Sequence, residues 1–150
     1  MAERVLAIDY GERRVGLALS DPDTGFVSGL PTLDRKALKV GGLTAAVAAL
    51  VAERGVHRIL LGMPYSLDGT MGPAAKRVLA FRDRLYLALD IPVDEWDERL
   101  TTEAARRRLE ELGYSEKQMR KKLDQVSAVL MLEHYLRFRE TQPDEPREPS

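Results

Sequence analysis

Apolar residues change their spacing part-way along this chain. Val5-Leu6-Ala7-Ile8 is a continuous apolar run, which predicts a buried strand over Arg4–Asp9. Tyr10–Arg14 reads as a turn, and Val15–Leu19 alternates as a second strand, with Gly16 as a tolerated interruption. Asp21-Pro22-Asp23-Thr24-Gly25 is a dense turn signal before a third strand over Phe26–Leu33. Short turns between three strands predict an antiparallel meander. Beyond it the period lengthens. Leu43, Val47, Leu50 and Val51 share one helical face, closed by Gly55. Arg58–Gly62 is a short apolar strand, Met63–Pro73 a glycine-containing loop, and Val78, Phe81, Leu85 and Leu89 mark a second amphipathic helix before a strand over Ile91–Trp96. Strand-helix-strand units require right-handed crossovers and parallel pairing. Thr101 or Thr102 caps a further helix ending near Leu112, with Gly113 as its stop. Ser115 with Gln118 forms a capping box for a short helical start, and Leu123–Phe138 is a helix apolar nearly all round, which predicts burial. The predicted class is α/β: a mixed five-stranded sheet, an antiparallel meander continued by two parallel strands, with helices on its faces.

The 150-residue length fits one compact domain, read here as residues 1–140. From Glu140 onward there are four acids, one arginine and three prolines, so residues 141–150 read as a disordered acidic tail. The absence of cysteine excludes disulfides, thiolate metal sites and a cysteine nucleophile. No apolar stretch approaches the ~20 residues of a membrane span, and the N-terminus lacks a secretory pattern, so a cytoplasmic protein with no membrane partner is expected. Net charge is only −1, which argues against an overall basic coat for nucleic acid. Yet Arg99–Lys122 carries eight Lys or Arg against four Glu.

Acids occur where buried elements end: Asp9, the pair Asp97-Glu98, and Asp124 at the head of the apolar helix. In a parallel sheet, ligand chemistry collects at the carboxyl ends of adjacent strands, and both Asp9 and Asp97-Glu98 sit at such ends. Two carboxylates about 4 Å apart repel by roughly 4 kcal/mol at an effective dielectric near 20. Mg²⁺ or Mn²⁺ relieves that repulsion, and two ions ~3.5–4 Å apart can drive phosphodiester hydrolysis without a covalent nucleophile. Taken singly, Asp9 is also an ordinary turn residue, Asp124 a helix N-cap, and Glu98 a surface partner of Arg99 or Arg58. Spacing leaves Asp97 and Glu98 equivalent, because neighbouring strand residues face opposite ways. Among the bases, Arg13 and Arg14 follow Asp9 and could hold a flanking phosphate. Lys121 and Lys122 adjoin Asp124 and are the other phosphate candidates, whereas Arg106-Arg107-Arg108 reads as a solvated face. His57 and His134 are isolated, and no aromatic stripe for base stacking is present.

Asp9-Tyr10-Gly11 with Arg13–Ala18 and Ser20-Asp21 resembles the opening motif of the RuvX/YqgF family. Gly62-Met63-Pro64 with Asp68-Gly69-Thr70 and Gly72 looks like its second motif, Asp97–Thr102 its third, and Lys122 with Asp124 and the following helix its fourth. The motifs occur in family order and cover the chain nearly to Arg139. Met63 and Ser66 replace a Leu and an Asn of the family pattern, and Leu123-Asp124 with Ser127-Ala128 stands where Val-Asp followed by two Ala is usual. The resemblance implies a ribonuclease H-like fold related to Holliday junction resolvases, with Asp9, Glu98 and Asp124 as catalytic metal ligands for Mg²⁺ or Mn²⁺. It selects Glu98 over Asp97, which stays the second choice, as an orienting neighbour. The implied activity is endonuclease cleavage of structured nucleic acid, either a four-way DNA junction or the 5′ end of pre-16S rRNA. Junction resolution needs two symmetrical cuts, hence a homodimer. The competing readings are a non-catalytic binder of branched nucleic acid or ribosomes, and an actin-like ATPase, for which the chain lacks a second lobe.

Overall fold

In a computed structural model of the chain, residues 2–38, 42–66 and 68–141 are described, apart from the side chains of Thr101, Thr102, Ala104, Lys121, Asp124 and Gln125. Five strands form one sheet: β1 (Val5–Tyr10), β2 (Arg14–Ser20), β3 (Val27–Asp34), β4 (Arg58–Met63) and β5 (Val93–Asp97). Their order is β3-β2-β1-β4-β5. The β3-β2-β1 half is antiparallel and β1-β4-β5 is parallel, as the change of period predicts. A short 3-10 turn (Arg35–Ala37) and helices α1 (Gly42–Arg54), α2 (Pro73–Ala88), α3 (Glu98–Glu111) and α4 (Glu116–Thr141) complete the described elements.

Strand alternation divides the core in two. Leu6, Ile8, Ile59, Leu61 and Met63 point to one face and pack with Leu43 and Val47 of α1 and Val78, Phe81 and Leu85 of α2. Val5, Ala7, Ala18 and Leu60 point to the other, where Ala128, Met131, Leu132 and Tyr135 of α4 cover them. Asp9 follows Val5 and Ala7 in parity, so the sheet aims it at the α4 side.

Three expectations change. The third helix begins at Glu98, with Asp97 as its cap, four or five residues before the expected cap at Thr101 or Thr102. Ser115 and Gln118 do form a reciprocal capping box, Ser115 N donating to Gln118 Oε1 (3.0 Å) and Gln118 N to Ser115 Oγ (3.3 Å). What they open is the whole of α4, so the short helical start and the apolar helix are one 26-residue element. Asp124 therefore lies inside this helix and is not its N-cap. Nor is α4 buried all round: it buries Met119, Ala128, Met131, Leu132 and Tyr135 and leaves Phe138 half exposed. One helix on one sheet face has an outer side, whatever its composition. The helix runs one residue past the expected domain end, to Thr141; the rest of the predicted acidic tail lies outside the described residues. No described helix is long and apolar enough to cross a membrane.

Candidate metal and nucleic-acid site

The carboxyl ends of β1, β4 and β5 lie side by side, and the site is built there. In β5, Glu95 turns toward α2, where it pairs with Arg82, while Asp94 and Trp96 turn toward α4 and meet Tyr135. Asp97 ends the strand. Its Oδ1 accepts from the Arg99 amide (3.0 Å), capping α3, and its Oδ2 binds the Arg99 guanidinium at 2.6 Å. Glu98, the first residue of α3, comes back to the α4 side beside Gly62 and Met131, where its carboxyl group interacts with that of Asp9. The structure thus separates the adjacent acids that spacing left equivalent: Glu98 joins Asp9, and Asp97 holds Arg99.

Glu98 fits because residue 62 has no side chain. A β-carbon on Gly62 would lie 2.4 Å from Glu98 Oε1, 2.9 Å from its Cγ and 2.9 Å from Met131 Sδ. Burial, above all, drives the Glu98 carboxyl well above the ordinary carboxylate range; the Asp9 charge and hydrogen bond, and then the Asp97 charge, push the same way. Glu98 Oε1 is buried without a hydrogen-bond partner among the described residues. The Ser127 hydroxyl of α4 makes a close hydrogen bond to Asp9 Oδ2. The alternative surface partners of Glu98 are engaged elsewhere. Arg58 binds Glu3 (2.6 Å) and Asp94 (3.0 Å), at the opposite ends of the parallel strands, and Arg99 binds Asp97.

Asp124 stands on α4 three residues before Ser127, but its side chain lies outside the described residues. Among the described residues no three His, Asp or Glu side chains come together. The pair that does converge offers only hard oxygen donors, one of them buried and unsatisfied, which suits Mg²⁺ or Mn²⁺ over softer metals.

Arg13 and Arg14 are exposed in the β1–β2 turn and, with Asp9, Gly11 and Gly16, line an open cleft of about 370 Å³. The turn is tight: Gly11 N donates to Arg14 O at 3.1 Å, and a β-carbon on Gly11 would lie 2.4 Å from that oxygen. Lys122 is exposed with Nζ 5.6 Å from the Tyr114 ring centre, and the side chain of Lys121 lies outside the described residues. Gly62, Ser127 and Arg99 are functional candidates that sequence reasoning missed. Gly62 carried a signal, a glycine at the end of an apolar strand.

The loop after β4 is tied to the same corner. Asp68 Oδ1 accepts from the Thr70 amide (3.0 Å) and hydroxyl (2.7 Å), and Ser66 N donates to Thr70 O (3.0 Å). Arg99 reaches across to Ser66 O (3.3 Å) and lies over the Tyr65 ring.

From residue 3 to residue 138 the sequence matches the family described as "RuvX: Holliday junction resolvase". The chain belongs to the RuvX family. It is 40% identical over 144 residues to a Chloroflexus aurantiacus protein named "Putative pre-16S rRNA nuclease", spanning 96% of this chain and 93% of that one. A Syntrophomonas wolfei protein of the same name is 41% identical over 133 residues, 89% of this chain and 93% of that one. Solved structures with a similar fold include RuvC of T. thermophilus in complex with a Holliday junction substrate, with a TM-score of 0.58 and 14% identity over 93% of this chain and 96% of that one. The fowlpox virus Holliday junction resolvase gives 0.51 and 11%, over 90% and 98%. Membership of the RuvX family and these neighbours agree with the ribonuclease H-like sheet described above.

Proposed function

We propose that this RuvX-family nuclease is a Mg²⁺- or Mn²⁺-dependent endonuclease that hydrolyses phosphodiesters in structured nucleic acid, with Asp9, Glu98 and Asp124 as cation ligands. The observation that carries the metal reading is the buried contact of Glu98 with Asp9, which leaves Glu98 Oε1 without a partner among the described residues. Two carboxyl groups held together in a poorly solvated corner destabilise the protein unless a proton or a cation lies between them. Asp124 completes the set through its place on α4, three residues before the serine that reaches Asp9. When bound, one or two divalent cations supply a positive field at a phosphoryl oxygen and make water a stronger nucleophile.

The chain's own residues hold and orient. Asp9 and Glu98 fix the cation position at the sheet end, where the backbone of three parallel strands keeps them rigid. Arg13 and Arg14, beside Asp9 in the open cleft, hold a phosphate next to the one being cut. Lys121 and Lys122 extend the basic track along α4. Relatives of about 40% identity that span nearly the whole chain carry the rRNA nuclease name, so the 5′ end of pre-16S rRNA is the first substrate to test. A four-way DNA junction is the second, and that reaction requires two sites facing one substrate and hence a homodimer.

The test is cleavage of a pre-16S rRNA fragment and of a four-way junction by purified protein with Mn²⁺, Mg²⁺ or EDTA. Product is expected with either cation and none with EDTA. Asp9→Asn is expected to lower the rate at least about 100-fold on the true substrate while binding survives. Undiminished cutting by this variant would sink the mechanism; tight binding without cutting by the wild type would instead favour a non-catalytic binder.

A further inference from the structure

A serine inside a helix commonly returns its hydroxyl proton to the carbonyl four residues earlier, which for Ser127 is that of Leu123. A hydroxyl has one proton to give, and Ser127 gives it to Asp9 Oδ2, 118 residues away in sequence. That bond crosses from α4 to the end of β1, where the helix meets the acid pair. The face is shared: Met131, one turn further along α4, has its sulfur beside the space that Gly62 leaves for Glu98. Asp9 thus meets Ser127 of α4 as well as Glu98 of α3.

We propose that Ser127 is a positioning residue for the cation site, acting through Asp9. A strand-end aspartate retains freedom about two side-chain torsions, and a carboxylate that must be ordered on binding a cation binds it less tightly than one already fixed. The Ser127 hydroxyl occupies one oxygen of Asp9 and fixes the carboxylate plane, so the remaining lone pairs point in one direction before any cation arrives. Groups of this kind, which orient a metal ligand without touching the metal, typically contribute 10–100-fold in affinity. The inference rests on the metal reading above.

The test is calorimetric titration of Mn²⁺ into the full-length, metal-free protein. Four chains are compared: wild type, Ser127→Ala, Ser127→Thr and Asp9→Asn. Ser127→Ala is expected to weaken Mn²⁺ binding about tenfold. Its metal-free melting temperature should stay close to wild type, since alanine is at home in a helix. Ser127→Thr keeps a hydroxyl in a rotamer a helix allows and should restore most of the loss. In cleavage assays Ser127→Ala should raise the half-saturating Mn²⁺ concentration and leave KM for nucleic acid unchanged, a split that a packing defect does not produce. If Asp9→Asn binds Mn²⁺ like the wild type, the metal reading fails and takes this inference with it. If Asp9→Asn loses Mn²⁺ while Ser127→Ala keeps wild-type affinity, or if threonine rescues nothing, the metal reading stands and the role of Ser127 is overturned.

Discussion

A β-carbon at residue 62 would press on Glu98 Oε1 and Met131 Sδ, both at the ends of side chains able to swing away. Gly62→Ala is therefore expected to cost only about 1–2 kcal/mol of stability, the range of mild overpacking, while moving Glu98 off Asp9. Cleavage should fall at least about tenfold in a protein that still melts cooperatively, as a thermal melt paired with a rate assay would show. Glu98 itself gives a pH test. Its carboxyl value in the folded chain is raised above the ordinary 4.5, chiefly by burial. The neutral form is thus favoured by folding, and that contribution is complete below the ordinary value and lost as pH rises toward the raised one. The melting temperature of metal-free protein should drop by several degrees between about pH 5 and about pH 8, at roughly 2–4 °C per kcal/mol for this size. Glu98→Gln should flatten that decline and raise the melting temperature at the upper pH, while abolishing cleavage. Parallel curves for the two proteins would mean that the Glu98 carboxyl is not held buried in this corner.

The loop between β4 and α2 and the start of α3 share one clamp. Asp97 caps α3 and binds Arg99, and Arg99 crosses to Ser66 O and the Tyr65 ring. Arg99→Ala should accelerate hydrogen exchange at the Ser66, Gly69 and Thr70 amides by about tenfold, the loss of one charge-assisted bond, with α4 unaffected. Arg99→Lys should restore little, since an ammonium cannot reproduce the forked contact. This clamp was not legible in the sequence, and the reason is local. Asp97-Glu98-Arg99 has no periodicity, so the strand end and helix start merge, and the threonines at 101 and 102 offered a more familiar cap. Val93 and Trp96 are both apolar yet face opposite sides of β5, so alternation gave no parity from which to choose Glu98. The family motif chose it, and in the structure Glu98 is the acid of the pair that emerges beside Asp9. By contrast, β1, β2 and β4 were legible because each carries an unbroken or alternating apolar run between turn residues. The role of Ser127 was illegible in principle, since nothing local to α4 names a partner in β1.

Across the whole molecule, the acid corner has a counterpart at the other end of the parallel strands. There Arg58, about nine-tenths buried, binds Glu3 and Asp94; Asp94 also accepts from Tyr135, and Arg139 reaches Glu3. This network ties Glu3 to the end of α4 and leaves the acid corner untouched. Arg58→Met should lower stability by roughly 2 kcal/mol, less than for a fully buried pair because Glu3 and Asp94 keep 30% and 37% exposure. The turnover number measured well below the melting transition should not change, and a matching fall in both would show that the two ends are coupled. The order of synthesis gives the 118-residue bond from Ser127 to Asp9 a further meaning. A ribosome adding about 5–20 residues per second makes Ser127 roughly 6–24 seconds after Asp9. For that interval the β1 carboxylate has neither its serine nor the helix that covers its face, so the site proposed here is assembled only late in synthesis.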